Sequence, residues 1–109
     1  MDMLAAFSVW PHGGSEGDSV HDAVAAAVRV VRASGLPNHT DAMFTTIEGE
    51  WDEVFKVIRE ATEAVAAYGS RVGLVIKADI RPGHRNEITG KVERLEKAIT
   101  AQDSAGLPS

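Results

Sequence analysis

Cysteine is absent from this chain of 109 residues, which excludes disulfides, thiolate metal sites and a cysteine nucleophile. No apolar run approaches the roughly 20 residues needed to cross a bilayer. Basic residues are in deficit: Lys and Arg total 11 against 16 Asp and Glu, a net charge of −5. They are also scattered, which argues against a nucleic-acid surface, where neutralising phosphates supplies most of the affinity. An acidic body attracts cations and cationic metabolites more readily than phosphates. The opening MDMLAAFSVWP has an acid where a secretory signal has a basic start, so the expected location is cytoplasmic. The four histidines show no HxH, HxxxH or HExxH spacing, and no metal site is expected. There is no G-x-S-x-G elbow for a serine nucleophile either, and the glycine-rich PHGGSEGD lacks the lysine of a phosphate-binding loop while carrying two acids. No catalytic residues and no cofactor are assigned.

What is present divides by period. Met3, Ala5, Phe7 and Val9 alternate with Leu4, Ala6, Ser8 and Trp10, the signature of a strand. After the loop PHGGSEGD, a helix is expected from Ser19, capped by its hydroxyl, with a stripe of Val20, Val24, Ala27, Val28 and Val31 and Gly35 as its stop. Residues 37–48 read as two short strands reversing at Asp41-Ala42, or as one long bent strand. A second helix is expected over about Glu50–Tyr68, burying Trp51, Val54, Phe55, Ile58, Ala61 and Val65, with Gly69 closing it. Arg71–Arg81 is a strand with Val72, Leu74, Ile76, Ala78 and Ile80 on one side. RPGHRNE is a loop, and a last amphipathic helix carries Ile88 or Val92, then Leu95 and Ile99.

One domain of that size is expected, spanning residues 1–101 with a flexible tail over 102–109. Two middle strands give β-α-β-β-α-β plus a C-terminal helix: the α+β, ferredoxin-like antiparallel sheet with helices on one face. One middle strand would give a parallel sheet, but its strands would then be solidly apolar rather than alternating. With Ile47 in the core, the same parity turns Phe44, Thr46, Glu48, Leu4, Ala6, Ser8, Trp10, Val75, Lys77 and Asp79 onto the opposite face. That mixture would leave a larger apolar patch than monomers usually expose. A second copy of the subunit is its simplest cover, so a homo-oligomer is expected, with Ser8, Thr46, Glu48, Lys77 and Asp79 placed to converge on a small ligand.

The stretch TTIEGEWDEVF crowds Glu48, Glu50, Asp52 and Glu53 around Gly49 and Trp51. The last three acids fit the first turn of a helix, where they complement its dipole; Glu48 stands apart, on the strand. This run IEGEWDEV, with SVHDAVAAAVRVVRASGL, VIKADIR and KVERLEK, resembles the small thiamine-binding, YkoF-related protein family over Ser8 to about Ile99. The resemblance implies a ferredoxin-like fold, dimers and tetramers formed through the sheets, and non-catalytic binding of thiamine or its hydroxymethylpyrimidine moiety. The expected ligand-binding set is Ser8, Trp10, Thr45, Thr46, Glu48, Lys77 and Asp79. Carboxylates would attract the thiazolium cation, Trp10 or Phe44 would stack on a ring, and the hydroxyls would pair with the aminopyrimidine. The partners implied are that small ligand and further copies of the chain, with no nucleic acid and no membrane. Ala42-Met43-Phe44-Thr45 replaces the family's usual Pro-Met-Gly-Thr, and Phe44 would narrow a pocket floor. The alternative is therefore an assembly module of the same fold that has lost its ligand pocket.

Overall fold

The computed structural model describes residues 1–13 and 19–106. The glycine-rich segment 14–18, the side chain of the expected cap Ser19 and residues 107–109 lie outside the described residues. The elements run β1 (Asp2–His12), α1 (Ser19–Ala33), β2 (Asn38–Thr40), β3 (Thr45–Glu50), α2 (Trp51–Ala66), β4 (Arg71–Ile80) and α3 (Glu87–Ser104). The strands form one antiparallel sheet in the order β2-β3-β1-β4, which is the ferredoxin-like arrangement.

The middle region is two strands because Asp41 makes the turn. Its Oδ1 accepts the backbone N–H of Met43 at 2.8 Å and of Phe44 at 2.9 Å, an Asx-type closure that reverses the chain. These bonds hold the Asp41 carboxyl below its usual range. Gly35 stops α1 in the left-handed region at φ 78°, as expected for a helix end. Gly69 serves another purpose: a Cβ there would run into the backbone oxygen of His12. Only glycine lets the chain leaving α2 pass so close to β1.

Met3, Ala5, Phe7 and Val9 of β1 and Ile47 of β3 are buried under the two helices, with Ala23, Ala27 and Val31 of α1 and Val54, Val57, Ile58, Ala61 and Val65 of α2. Burying each of the larger side chains is worth about 1.5–3 kcal/mol. The stripe of α1 is rotated from the expected one. Val20 and Val24 are exposed, because the small Ala23 and Ala27 let the helix approach the sheet and push the valines to the rim. Trp51 is likewise no core residue; it is 39% exposed and stacks on Phe55 with ring centroids 4.6 Å apart. On β4, Leu74, Ile76 and Ile80 face the helix side yet remain about 40% exposed, since the strand lies at the sheet edge.

Beyond the sheet, α3 runs through Ser104, past the point where a tail is expected at residue 102. Its 18 residues span roughly 27 Å, and the molecule measures 55 × 31 × 19 Å. Val92, Leu95 and Ile99 are 56%, 58% and 42% exposed. Among the described residues this apolar stripe is left largely uncovered.

Candidate functional site

The strand register places the open face residue by residue. Leu4 lies between Glu48 and Asp79; Ala6 lies between Thr46 and Lys77; Ser8 is beside Val75, and Trp10 beside Gly73. His39 of β2 pairs with Thr46, so one row crosses all four strands as His39, Thr46, Ala6 and Lys77. Adjacent strands are about 4.8 Å apart, which puts the Glu48 and Asp79 backbones roughly 10 Å apart across Leu4. Ser8, Trp10, Thr46, Glu48, Lys77 and Asp79 thus share one face.

Thr45 does not join them. It follows the core parity, is 8% exposed, and its Oγ1 lies 3.1 Å from that of Thr40 on the helix side. Phe44 also departs from its expected place. It lines a helix-side cavity of 140 Å3 together with Phe7, Val24 and Val28, so it narrows nothing on the open face.

Glu48 is held by an interaction invisible in the strand pattern. The start of α3 is anomalous: Asn86, which precedes it, is left-handed at φ 58° and provides no side-chain cap. Glu48 supplies the acceptors instead, taking the N–H of Glu87 at 2.8 Å and of Ile88 at 3.2 Å. A buried carboxylate thereby satisfies the unpaired amides of a helix start and complements its positive end. Asp79 has a partner on the same helix, Lys91, at 2.7 Å. That bond holds the Asp79 carboxyl below its ordinary range. Arg94 does the same for Glu87, 8% exposed at its side chain. The two open-face acids therefore dock α3 across the sheet.

Docking leaves a cleft of 250 Å3 between α3 and the sheet, lined by Leu4, His39, Thr46, Glu87, Ile88, Lys91 and Val92. Its floor is the Leu4 and Thr46 rows, its roof the first two turns of α3. Further along the face, the Trp10 indole lies flat over Gly73, where a Cβ would collide with it. Its Nε1 donates to Nε2 of His12 at 2.6 Å, so the polar edge of the ring is satisfied while its body covers apolar surface. Ser8, Thr46 and Lys77 make no side-chain hydrogen bond among the described residues.

His12, His39, Lys91 and Val92 are the face residues that pattern reading overlooks. His12 and His39 could have been found by parity, since His12 is two residues from Trp10 and His39 sits opposite Thr46. Lys91 and Val92 could not, because nothing in the sequence says which surface α3 crosses. Of the other acids in the corner, Asp52 and Glu53 occupy the first turn of α2 and Glu50 precedes it. Among the described residues no group of three or more His, Asp or Glu is arranged to hold a metal ion, and no helix is long and apolar enough to cross a membrane.

Comparison with known proteins covers both the sheet and the start of α3. A family model described as thiamine-binding protein matches residues 5–96. The UPF0045 protein Mb1933 of Mycobacterium bovis is 55% identical over 100 residues, 91% of this chain and 96% of that protein. Among solved structures, the hypothetical protein MJ1052 of Methanocaldococcus jannaschii aligns with a TM-score of 0.77 at 33% identity, covering 87% of this chain and 96% of that one. A domain of unknown function from Bacillus cereus aligns with a TM-score of 0.68 at 35% identity, covering 75% and 78%.

Proposed function

Because the chain belongs to the thiamine-binding protein family, we propose that it is a non-catalytic binder of thiamine or its hydroxymethylpyrimidine portion, held on the open sheet face of a homo-oligomer. The observation that carries this reading is the cleft between α3 and the sheet, apolar in its body, with the hydroxyl of Thr46 and the His39 ring at its floor. A flat aminopyrimidine needs such a slot: apolar walls for the ring, and a few donors and acceptors to fix its orientation.

Charge bears on which half of the vitamin is recognised. Glu48, Asp79 and Glu87 contribute three negative charges around the cleft, and Lys77, Lys91 and Arg94 three positive ones. Glu48 and Asp79 are already engaged with α3. A face that is neutral in sum favours the uncharged pyrimidine over direct neutralisation of the thiazolium. The open end of the cleft, and the bare stripe of Val92, Leu95 and Ile99, are completed by a second copy of the subunit, which removes apolar surface from water on both partners.

The indole of Trp10 reports on the face. Trp51 lies away from it against Phe55, so W51F leaves Trp10 as the single tryptophan. Titration of W51F with hydroxymethylpyrimidine and with thiamine is expected to give a saturable change in emission. The fragment should keep its affinity within about tenfold of thiamine, or about 1.4 kcal/mol. An intact oligomer with no response to either compound would leave the assembly-module reading; turnover of either compound would make the protein an enzyme.

A further inference from the structure

Helix α3 roofs the cleft without being packed deeply into its own subunit. Glu87 is its one buried residue. Its ties to the sheet are polar and lie at two levels. In the first turn Glu48 holds the amides of Glu87 and Ile88, and Arg81 stands 3.9 Å from the Glu87 carboxylate. One turn further on, Nζ of Lys91 reaches Oδ2 of Asp79 at 2.7 Å. Beyond Lys91 no hydrogen bond or ion pair joins α3 to another element among the described residues; Arg94 turns back to Glu87 of the same helix.

The two levels differ in strength. Glu48 is buried and accepts two charge-assisted bonds. Lys91 and Asp79 are 47% and 41% exposed at their side chains, and an ion pair so open to water is individually weak and screened by salt. The outer tie therefore opens before the inner one. The segment leading into α3 has the character of a hinge. Gly83 (φ 80°) and Asn86 (φ 58°) are both left-handed, and Gly83 is pinned to the body by its N–H on Oδ2 of Asp2 at 3.0 Å. Between them Arg85 comes only within 3.5 Å of Asp2, its side chain 77% exposed. A few loosely held residues at the end of an element can absorb the backbone rotation of a moving part.

We propose that α3 is a hinged lid over the cleft, pivoting on Glu48 and latched by Lys91 and Asp79, and that release of the latch admits and frees the ligand. This rests on the ligand-binding reading and adds how that site is gated. Leu4 and Thr46, the floor, belong to the sheet, while Ile88, Lys91 and Val92 belong to the roof. Lifting the roof about its first turn uncovers the floor and breaks one exposed ion pair, with the Glu48 bonds kept. A ligand held between floor and roof favours the closed state, and by linkage the closed latch favours the ligand.

The lid can be read with no ligand present. The chain has no cysteine, so Thr46→Cys places a single thiol on the cleft floor. The quantity to measure is its labelling by a bulky uncharged maleimide relative to a small one, a ratio that cancels changes in thiol reactivity. Asp79→Asn breaks the latch without altering a residue that lines the cleft. It is expected to raise the ratio about two- to fivefold, and so is about 0.5 M salt when Asp79 is intact. Asp79→Glu, which keeps the charge, should leave the ratio near that of T46C alone. With Thr46 restored, D79N in the W51F background should speed release of hydroxymethylpyrimidine by the same factor, followed by Trp10 emission on dilution. A ratio indifferent to D79N and to salt would overturn the lid whether or not a ligand binds. Release at the parent rate in D79N would overturn the gating. If the ratio follows the latch but the compound does not bind at all, the lid is supported, and the ligand reading falls together with the gating built on it.

Discussion

Glu48 decides most at the scale of single residues. It belongs to β3 by sequence and to α3 by function, since its two oxygens hold the amides of Glu87 and Ile88. Removing it leaves two N–H groups at a buried helix start without an acceptor. Hydrogen bonds to a charged group are worth about 1.5–3 kcal/mol, so Glu48→Ala is expected to destabilise the fold by about 2 kcal/mol in urea denaturation. It should also speed hydrogen exchange across the first turns of α3. Glu48→Gln, which keeps one acceptor, should recover part of the loss. If E48A matched the parent protein in both measurements, the capping role would be refuted. The same residue shows where pattern reading stops. Parity places Glu48 on the open face, but a carboxylate on a strand looks the same whether it awaits a ligand or caps a distant helix.

Among the elements, the strands were the most legible because a period of two leaves little freedom: Met3, Ala5, Phe7, Val9 and Ile47 all enter the core as alternation requires. The β2–β3 reversal rested on Asp41 and is made by it. Helix α1 was read less well, since valines outweigh alanines in any hydrophobic stripe, whereas close packing on a sheet selects the smaller residues. Thr45 illustrates the same limit, its hydroxyl spent on Thr40 inside the fold. The position of α3 was not legible, because the ties that fix it join residues far apart in sequence. Those ties are acid-sensitive. The carboxyls of Asp79 and Glu87 are held below their ordinary ranges by Lys91 and Arg94 respectively. A depressed carboxyl contributes its full stabilisation above its unfolded value and loses it as pH falls through its folded one. The docking of α3 should therefore be unchanged from neutrality to about pH 5 and weaken below about pH 4, ahead of the core. Exchange rates of α3 amides against those of β1, measured down that range, check the order; simultaneous loss would count against it.

For the whole molecule, elongation is the telling property. A radius of gyration of 16.9 Å exceeds the roughly 13 Å of a compact chain of this length, because α3 carries its apolar stripe away from the body. Val92, Leu95 and Ile99 of that helix stay exposed. The ligand cleft is lined by one subunit under the anchored end of α3, with only its open end left to a second copy, so one site per chain is expected. Ala6 is the cross-strand neighbour of Thr46, which lines the cleft, and it faces away from the core, so a leucine there would crowd the slot from its side without entering the core. The most direct measurement is a calorimetric titration of hydroxymethylpyrimidine into the parent protein and into Ala6→Leu. Saturable heat at one equivalent per chain, lost in a folded A6L variant of unchanged mass, is the predicted result; heat that persists in A6L, or none in the parent, would contradict a site on this face.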